Sequence, residues 1–156
     1  MQGQAFEITG DIHSISRELH SSTLQYLGIE AAMRGFCREF GQQRKVQIDF
    51  AGKGVVTPLS PEISLCLYRV LQEALSNSTK HSGVQHFKVE LFEESEGIHL
   101  VVIDSGIGFD PKSAMQSRGL GLMSMQERLK LVNGKFWINS QPGMGATIHA
   151  WVPRSK

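Results

Sequence analysis

The sequence predicts an α/β fold: a two-layer sandwich in which helices cover one face of a mostly antiparallel mixed sheet. Three observations predict it. Two long segments, near residues 29–42 and 61–81, repeat apolar residues at helical spacing. Five short segments alternate apolar and polar residues, and four of them fall in two adjacent pairs joined by turn sequences. At 156 residues, with 40% hydrophobic and 20% charged, the chain has the size and composition of one ordinary globular core.

In chain order, Thr9-Gly10-Asp11-Ile12 begins a helical pattern carried by Ile12, Ile15 and Leu19. It weakens at His20-Ser21-Ser22-Thr23, where small polar residues favour a break. A helix from Ile29 to Gln42 turns Ala32, Met33, Phe36, Cys37 and Phe40 inward, and Lys45 to Phe50 alternates as a strand. Ala51 to Leu59, with Gly52, Gly54 and Pro58, reads as a loop. Ser60-Pro61-Glu62 then offers a capping hydroxyl, a first-turn proline and an early acid, so a long helix begins there and ends near Ser82-Gly83. Phe87, Val89 and Leu91 alternate in one strand and Ile98, Leu100 and Val102 in the next, with Glu94 to Gly97 as their turn. Asp110 to Arg118 is polar with no clear period. Gly119-Leu120-Gly121-Leu122 opens a helix that carries Met125, Leu129 and Val132 inward and stops at Asn133-Gly134. Strands Lys135 to Ser140 and Ala146 to Val152 close the chain through Pro142-Gly143-Met144-Gly145.

The bulk numbers narrow the function classes. A formal net charge of +1 and no basic stripe argue against a general nucleic-acid or membrane-surface partner. No apolar run approaches a membrane span and no signal peptide opens the sequence. Cys37 and Cys66 both occupy apolar helix positions, as buried free thiols in a reducing compartment do, so neither a disulfide framework nor a metal site is expected of them.

The candidate chemistry gathers on the long helix and the glycine-rich stretches. At roughly 100° per residue Asn77 projects between Cys66 and Val70, inside the apolar sector, with Glu73 and Lys80 at its edge. A buried amide needs a partner, supplied by the protein or by a polar ligand. An asparagine oxygen suits a hard cation such as Mg²⁺, and a glutamate beside it can polarise a nucleophile. Asp104 ends a strand just before Gly106 and Gly108, where a carboxylate could accept a hydrogen bond from the exocyclic amine of a base. Glycines that open a helix, as Gly119 and Gly121 do, leave unpaired N–H groups to an anion such as a phosphate. Taken singly, each has an ordinary explanation: a bonded helix-edge amide, an ion pair, an Asp-Ser-Gly turn, a tight turn before a helix.

Their order and type together carry more. Glu73-x-x-x-Asn77-x-x-Lys80-His81, Asp104-x-Gly106-x-Gly108-Phe109 and Gly119-Leu120-Gly121-Leu122 resemble the N box and the two glycine boxes of sensor histidine kinases. The resemblance runs from Ser60 to Pro153, through Met125-x-Glu127-Arg128 and Gly145-Ala146-Thr147. The Glu-Ala-Leu-x-Asn-x-x-Lys-His wording is most similar to the subfamily that signals to helix-turn-helix response regulators. It implies the GHKL, or Bergerat, ATP-binding fold shared with gyrase, heat-shock chaperones and mismatch-repair ATPases.

By position, the resemblance assigns Glu73 the catalytic polar or basic role and Asn77 the Mg²⁺. Asp104 would read adenine, with Thr147 helping through water. Gly106 and Gly108 would line the base pocket, and Gly119, Gly121 and Leu122 would approach the phosphates, with Lys80 and His81 on the phosphate side. Ile107, Phe109, Arg118 and Leu120 join the ATP-contacting set by the same match. Asp110 to Arg118 would be a lid, mobile without nucleotide. Ser105 stands where Asn or Asp is more common, which leaves its neighbours' roles intact.

Arg17-Glu18-Leu19-His20 resembles the family's phosphoacceptor box but departs from it. Ser21 follows where an acid is typical, and too few residues separate His20 from Asn77 for the rest of a helical hairpin. Residues 1–27 therefore read as the tail of a second dimerisation helix and its linker, and residues 28–156 as the catalytic ATP-binding domain. His20 and His13 are expected to be structural or exposed, with the accepting histidine outside this chain. The resemblance implies ATP and Mg²⁺ as cofactors. It implies a histidine-bearing dimerisation domain of the same parent kinase and a downstream DNA-binding response regulator as partners. It places the fragment in the cytoplasm, without direct nucleic-acid or membrane contact, although the parent could be membrane-anchored. Two other readings share the fold: an anti-sigma-type serine kinase, and an interaction module gated by nucleotide.

Overall fold

The computed structural model describes Leu24 and residues 27–55, 58–94, 96–117 and 120–154, with the backbone alone at 115–117 and 120. The expected helix at residues 11–20, with His13 and His20, lies outside these.

Helix α1 (Ile29–Arg44) ends where Lys45 adopts a left-handed conformation (φ 56°), two residues later than the sequence suggests. Strand β1 covers Gln47–Lys53. The sequence reading stopped it at Phe50. It continues because Ala51, Gly52 and Lys53 pair with Glu90, Leu91 and Phe92. Gly52 is a strand residue at a close approach rather than a loop residue, since a Cβ there would strike the Glu30 carboxylate of α1.

Helix α2 (Pro61–His81) starts as its sequence dictates: the Ser60 hydroxyl accepts the Ile63 N–H at 3.2 Å and Pro61 opens the first turn. Strands β2 (His86–Glu94) and β3 (Gly97–Asp104) form the expected hairpin. Helix α3 (Pro111–Ser117) lies in the segment read as having no period. Its signal is a cap: Asp110 accepts from the Lys112 N–H at 3.3 Å and the Ser113 hydroxyl at 3.0 Å, and Pro111 sets the first turn. Helix α4 (Leu120–Leu131) and strands β4 (Lys135–Ser140) and β5 (Ala146–Pro153) follow as expected.

The sheet order is β1-β2-β3-β5-β4. Only β1 and β2 are parallel, joined by the α2 crossover; the other pairs are antiparallel. Phe87, Val89, Leu91, Ile98, Leu100, Ile148 and Val152 point from one face into a core completed by Met33, Leu67, Leu71 and Leu75 of the helices. Removing that apolar surface from water, at about 25 cal/mol per Å², is what holds helices to sheet. The two cysteines sit in this core, and burial pushes the Cys37 thiol up to about 12 and Cys66 to about 11.

The opposite face carries a half-buried ring ladder. Phe92 stacks on His99 at 4.7 Å, the His99 and His149 ring nitrogens meet at 2.9 Å, and His149 stacks on Trp137 at 4.0 Å. Burial holds both histidines below the usual imidazole range; Glu94 pulls His99 partly back, and the neighbouring His99 charge lowers His149 further. Folded-state values below the unfolded value mean that the unfolded chain binds protons the folded chain refuses. Stability is therefore expected to fall as pH drops through about 6.5 toward the folded values. Thermal melts from pH 8 to 5 should show this slope, and His149→Phe, which keeps a ring on Trp137, should flatten it.

Candidate functional site

At the Asp104 end of β3, the central strand, the sheet and the C-terminal turns of α2 part to form a pocket enclosing about 380 Å³, mouth included. Asn77 and His81 reach it from α2, Asp104 from β3, Gly108 and Phe109 from the loop after β3, and Leu122 from α4. Six positions singled out from the sequence thus meet around one space.

The loop 105–109 is pinned on two sides. The Ser82 carbonyl, at the end of α2, accepts the Ile107 N–H at 2.9 Å, and a Cβ on Gly106 would strike that carbonyl oxygen and Ser82 Cβ. Opposite, the Ser140 hydroxyl accepts the Phe109 N–H at 2.9 Å and donates to the Gly145 carbonyl at 2.7 Å. Gly108 has φ +67°, and a Cβ there would meet the carbonyl oxygens of Gln141 and Gly145. Within this clamp the Gly106 N–H donates to Asp104 Oδ1 at 2.9 Å, which orients the buried carboxylate.

The phosphate-type features lie one turn back along α2. Asn77 is half-buried, and its amide nitrogen is buried with no hydrogen-bond partner among the described residues. Gly121, in the first turn of α4, lies against it: a Cβ there would strike Glu73 Oε1 and sit 3.2 Å from Asn77 Nδ2. A backbone stripped of side chain beside an unpartnered buried donor leaves room for a hydrogen-bond acceptor there. Among the described residues no group of three or more His, Cys, Asp or Glu could by itself hold a metal.

Not every expected residue joins the site. Thr147 does not. Across the β3–β5 ladder Asp104 pairs with Ala146 and Ile103 with Thr147, so the pleat turns Ala146 and Ile148 toward the pocket and Thr147 to the other face. Lys80 is exposed and Ile107 is 62% exposed, and neither lines the pocket. Glu73 faces a neighbouring cleft between α2 and α4. Arg118 and Gly119 lie outside the described residues, as does the side chain of Leu120. Sequence reasoning missed the buried Ser78 of α2 and Ser82 just past its end, and Ala146 and Ile148. The strict alternation of β5 carried the signal for the last two.

Fold and pocket together define an α/β domain with a ligand-sized cleft at the end of its central strand. Residues 62–156 match the family described as histidine kinase-, DNA gyrase B-, and HSP90-like ATPase, and the chain belongs to that family. Membership implies that it binds ATP. The chain is 35% identical over 147 residues to the sensor histidine kinase MctS of Rhizobium johnstonii, covering 93% of this chain and 32% of MctS. It is 33% identical over 153 residues to the oxygen sensor histidine kinase NreB of Staphylococcus carnosus, covering 98% of this chain and 44% of NreB. The chain therefore spans about a third of one of these relatives and under half of the other. Its fold is that of the catalytic domain of histidine kinase ThkA (TM-score 0.65, 14% identity, 81% of this chain and 90% of that one). The blue-light-activated histidine kinase domain of Erythrobacter litoralis shares it too (TM-score 0.67, 15% identity, 80% and 60%). The family match begins at Glu62, yet β1 is part of the same sheet through seven residue pairs with β2.

Gly108→Val should destabilise the domain by about 2 kcal/mol or more, through the positive φ and the clash with two carbonyls. Urea unfolding of the variant measures it.

Proposed function

We propose that this chain is the catalytic, ATP-binding part of a two-component sensor histidine kinase, handing the terminal phosphoryl group of ATP to a histidine on the dimerisation domain of the same parent protein. The observation that carries the reading is the unpartnered, buried Asn77 nitrogen set against Gly121. It is a donor waiting for an acceptor, and its amide oxygen suits Mg²⁺. The MctS and NreB relationships supply the histidine-kinase part of the reading.

In this mechanism Asp104 reads the adenine amine, with its carboxylate held in place by Gly106. Phe109 and Leu122 supply apolar walls, and Ser78 and His81 polar ones. The Gly121 backbone leaves room for the phosphates, and Asn77 is the protein ligand for Mg²⁺, which when bound would neutralise charge on them. The acceptor imidazole nitrogen forms a bond to the terminal phosphorus, and the bond from phosphorus to the bridging oxygen breaks. ADP leaves with that electron pair, and Glu73 takes the imidazole proton. The chain's work is positioning and electrostatics. The phosphoryl group would pass on to an aspartate of a response regulator of the helix-turn-helix, DNA-binding kind. Dependence on ATP fits the cytoplasm, and among the described residues no helix is long and apolar enough to cross a membrane. Residues 1–27 fit a linker and the tail of a dimerisation helix, with the domain proper from residue 28.

Calorimetric titration with ADP and a non-hydrolysable ATP analogue, with and without Mg²⁺, tests the pocket. Asp104→Asn should weaken binding about tenfold or more, since an amide presents a donor where the base amine needs an acceptor. Absence of saturable binding to folded wild type would remove the reading and favour an interaction module. Glu73→Gln should retain nucleotide affinity while transfer to the dimerisation domain falls about 100-fold or more. Transfer at the wild-type rate would take the base role from Glu73, and phosphorylation of serine in place of histidine would favour the anti-sigma-type kinase.

A further inference from the structure

The side chain that ties together two walls of the pocket stands outside it. Ser140, the last residue of β4, does not line the cavity. It pairs with Ala146 of β5, and Ala146 pairs in turn with Asp104 of β3. Directly opposed residues turn their side chains to one face, so Asp104, Ala146 and Ser140 stand in a row on the pocket side. Ser140 is two strand spacings from Asp104, about 10 Å, so it acts on the carboxylate only through other groups.

Those groups are main chain. The Ser140 hydroxyl accepts the Phe109 N–H at 2.9 Å and donates to the Gly145 carbonyl at 2.7 Å. Phe109 ends the loop that follows Asp104 and lines the pocket, and Gly145 ends the β4–β5 turn. Both segments bear on Asp104. A Cβ on Gly145 would strike the Asp104 carbonyl oxygen, so the turn lies directly against the Asp104 backbone. Gly106, whose N–H holds Asp104 Oδ1 at 2.9 Å, sits three residues before Phe109 in the same loop. The Gly143 N–H donates to the Ile107 carbonyl and closes the seam between loop and turn. An alanine at position 140 would leave an N–H and a carbonyl without their shared partner at once, since a methyl group replaces neither bond.

We propose that Ser140 is a positioning residue for base recognition. By tying the Phe109 N–H to the Gly145 carbonyl, it holds the Gly106 N–H, and through it the Asp104 carboxylate, at the angle that accepts the base amine. The inference rests on the nucleotide reading above. It adds a residue that sets how sharply the amine is read without touching the nucleotide. A carboxylate favours an amine over a carbonyl only while its lone pairs point at the amine, because hydrogen bonds weaken steeply when misaligned.

The test compares, by calorimetry on the whole chain, ADP with inosine diphosphate, which carries a carbonyl where adenine carries its amine. The ratio of the two affinities does not depend on the fraction of protein folded, so a loss of stability alone leaves it unmoved. Wild type should prefer ADP about tenfold or more, and Ser140→Ala should cut that preference about fivefold. Ser140→Thr, which restores the hydroxyl, should return the preference to within about twofold of wild type. Ser140→Val has the shape of threonine without the hydroxyl and suits a strand, so it carries the comparison should the alanine variant not fold. It should lose the preference as alanine does. A preference unchanged in Ser140→Ala or Ser140→Val, or lost equally in Ser140→Thr, would overturn the positioning role and leave the nucleotide reading standing. Wild type that binds both diphosphates equally would remove the amine reading by Asp104, and wild type that binds neither would remove the nucleotide reading; the inference falls with either.

Discussion

The site depends on how closely three backbones approach one another around Gly106 and Gly108. The end of α2, the loop after β3 and the β4–β5 hairpin meet through the Ser82 carbonyl, the Ser140 hydroxyl and the Gly145 carbonyl, at 2.7–2.9 Å. No side chain fits between them. Because these contacts are main-chain or nearly so, the position of Asp104 is set by the fold and not by its own rotamer freedom, and such preorganisation reduces the cost of ordering a site when ligand arrives. The same closeness ties α2, which carries Asn77 and Glu73, to the strand that carries Asp104. The residues expected to grip base and phosphates thus belong to one rigid unit.

Around that unit the two halves of the site differ in character. The end proposed for the base is walled by β3, β5 and the pinned loop. The end proposed for the phosphates is built from one face of α2 and the start of α4, with Gly121 as the point of contact. Helix α3 stands between them in the chain, held by its Asp110 cap and the burial of Ala114. The cleft beyond Glu73, between α2 and α4, opens away from this pocket.

Most of this was legible because it follows from period and chemistry. Helical projection alone puts Asn77 inside the apolar sector of α2, and its half-buried amide bears that out. Ser60-Pro61 marks the start of α2 because a hydroxyl cap and a proline have few other uses side by side. What escaped depended on partners the sequence does not display. Strand β1 runs three residues past Phe50 because β2 is there to pair with it, although Gly52 reads as a loop residue. Helix α3 has one inward apolar residue described, Ala114, too few to make a period, so only its cap announced it. Thr147 was placed by its neighbours in a motif, and in a strand an error of one residue reverses the face.

The two thiols have a practical meaning for following this domain at work. Cys37 and Cys66 are 3% and 7% exposed, and with thiols lifted to about 12 and 11 they carry almost no thiolate near neutral pH. Maleimide and disulfide reagents act on the thiolate, so both native cysteines are shielded from them while the core stays shut. A single cysteine introduced on the surface, at the half-exposed Met123 of α4 for instance, would take a fluorophore or spin label with the native pair left in place. Labelling of Cys37 or Cys66 would in turn report that the core had opened.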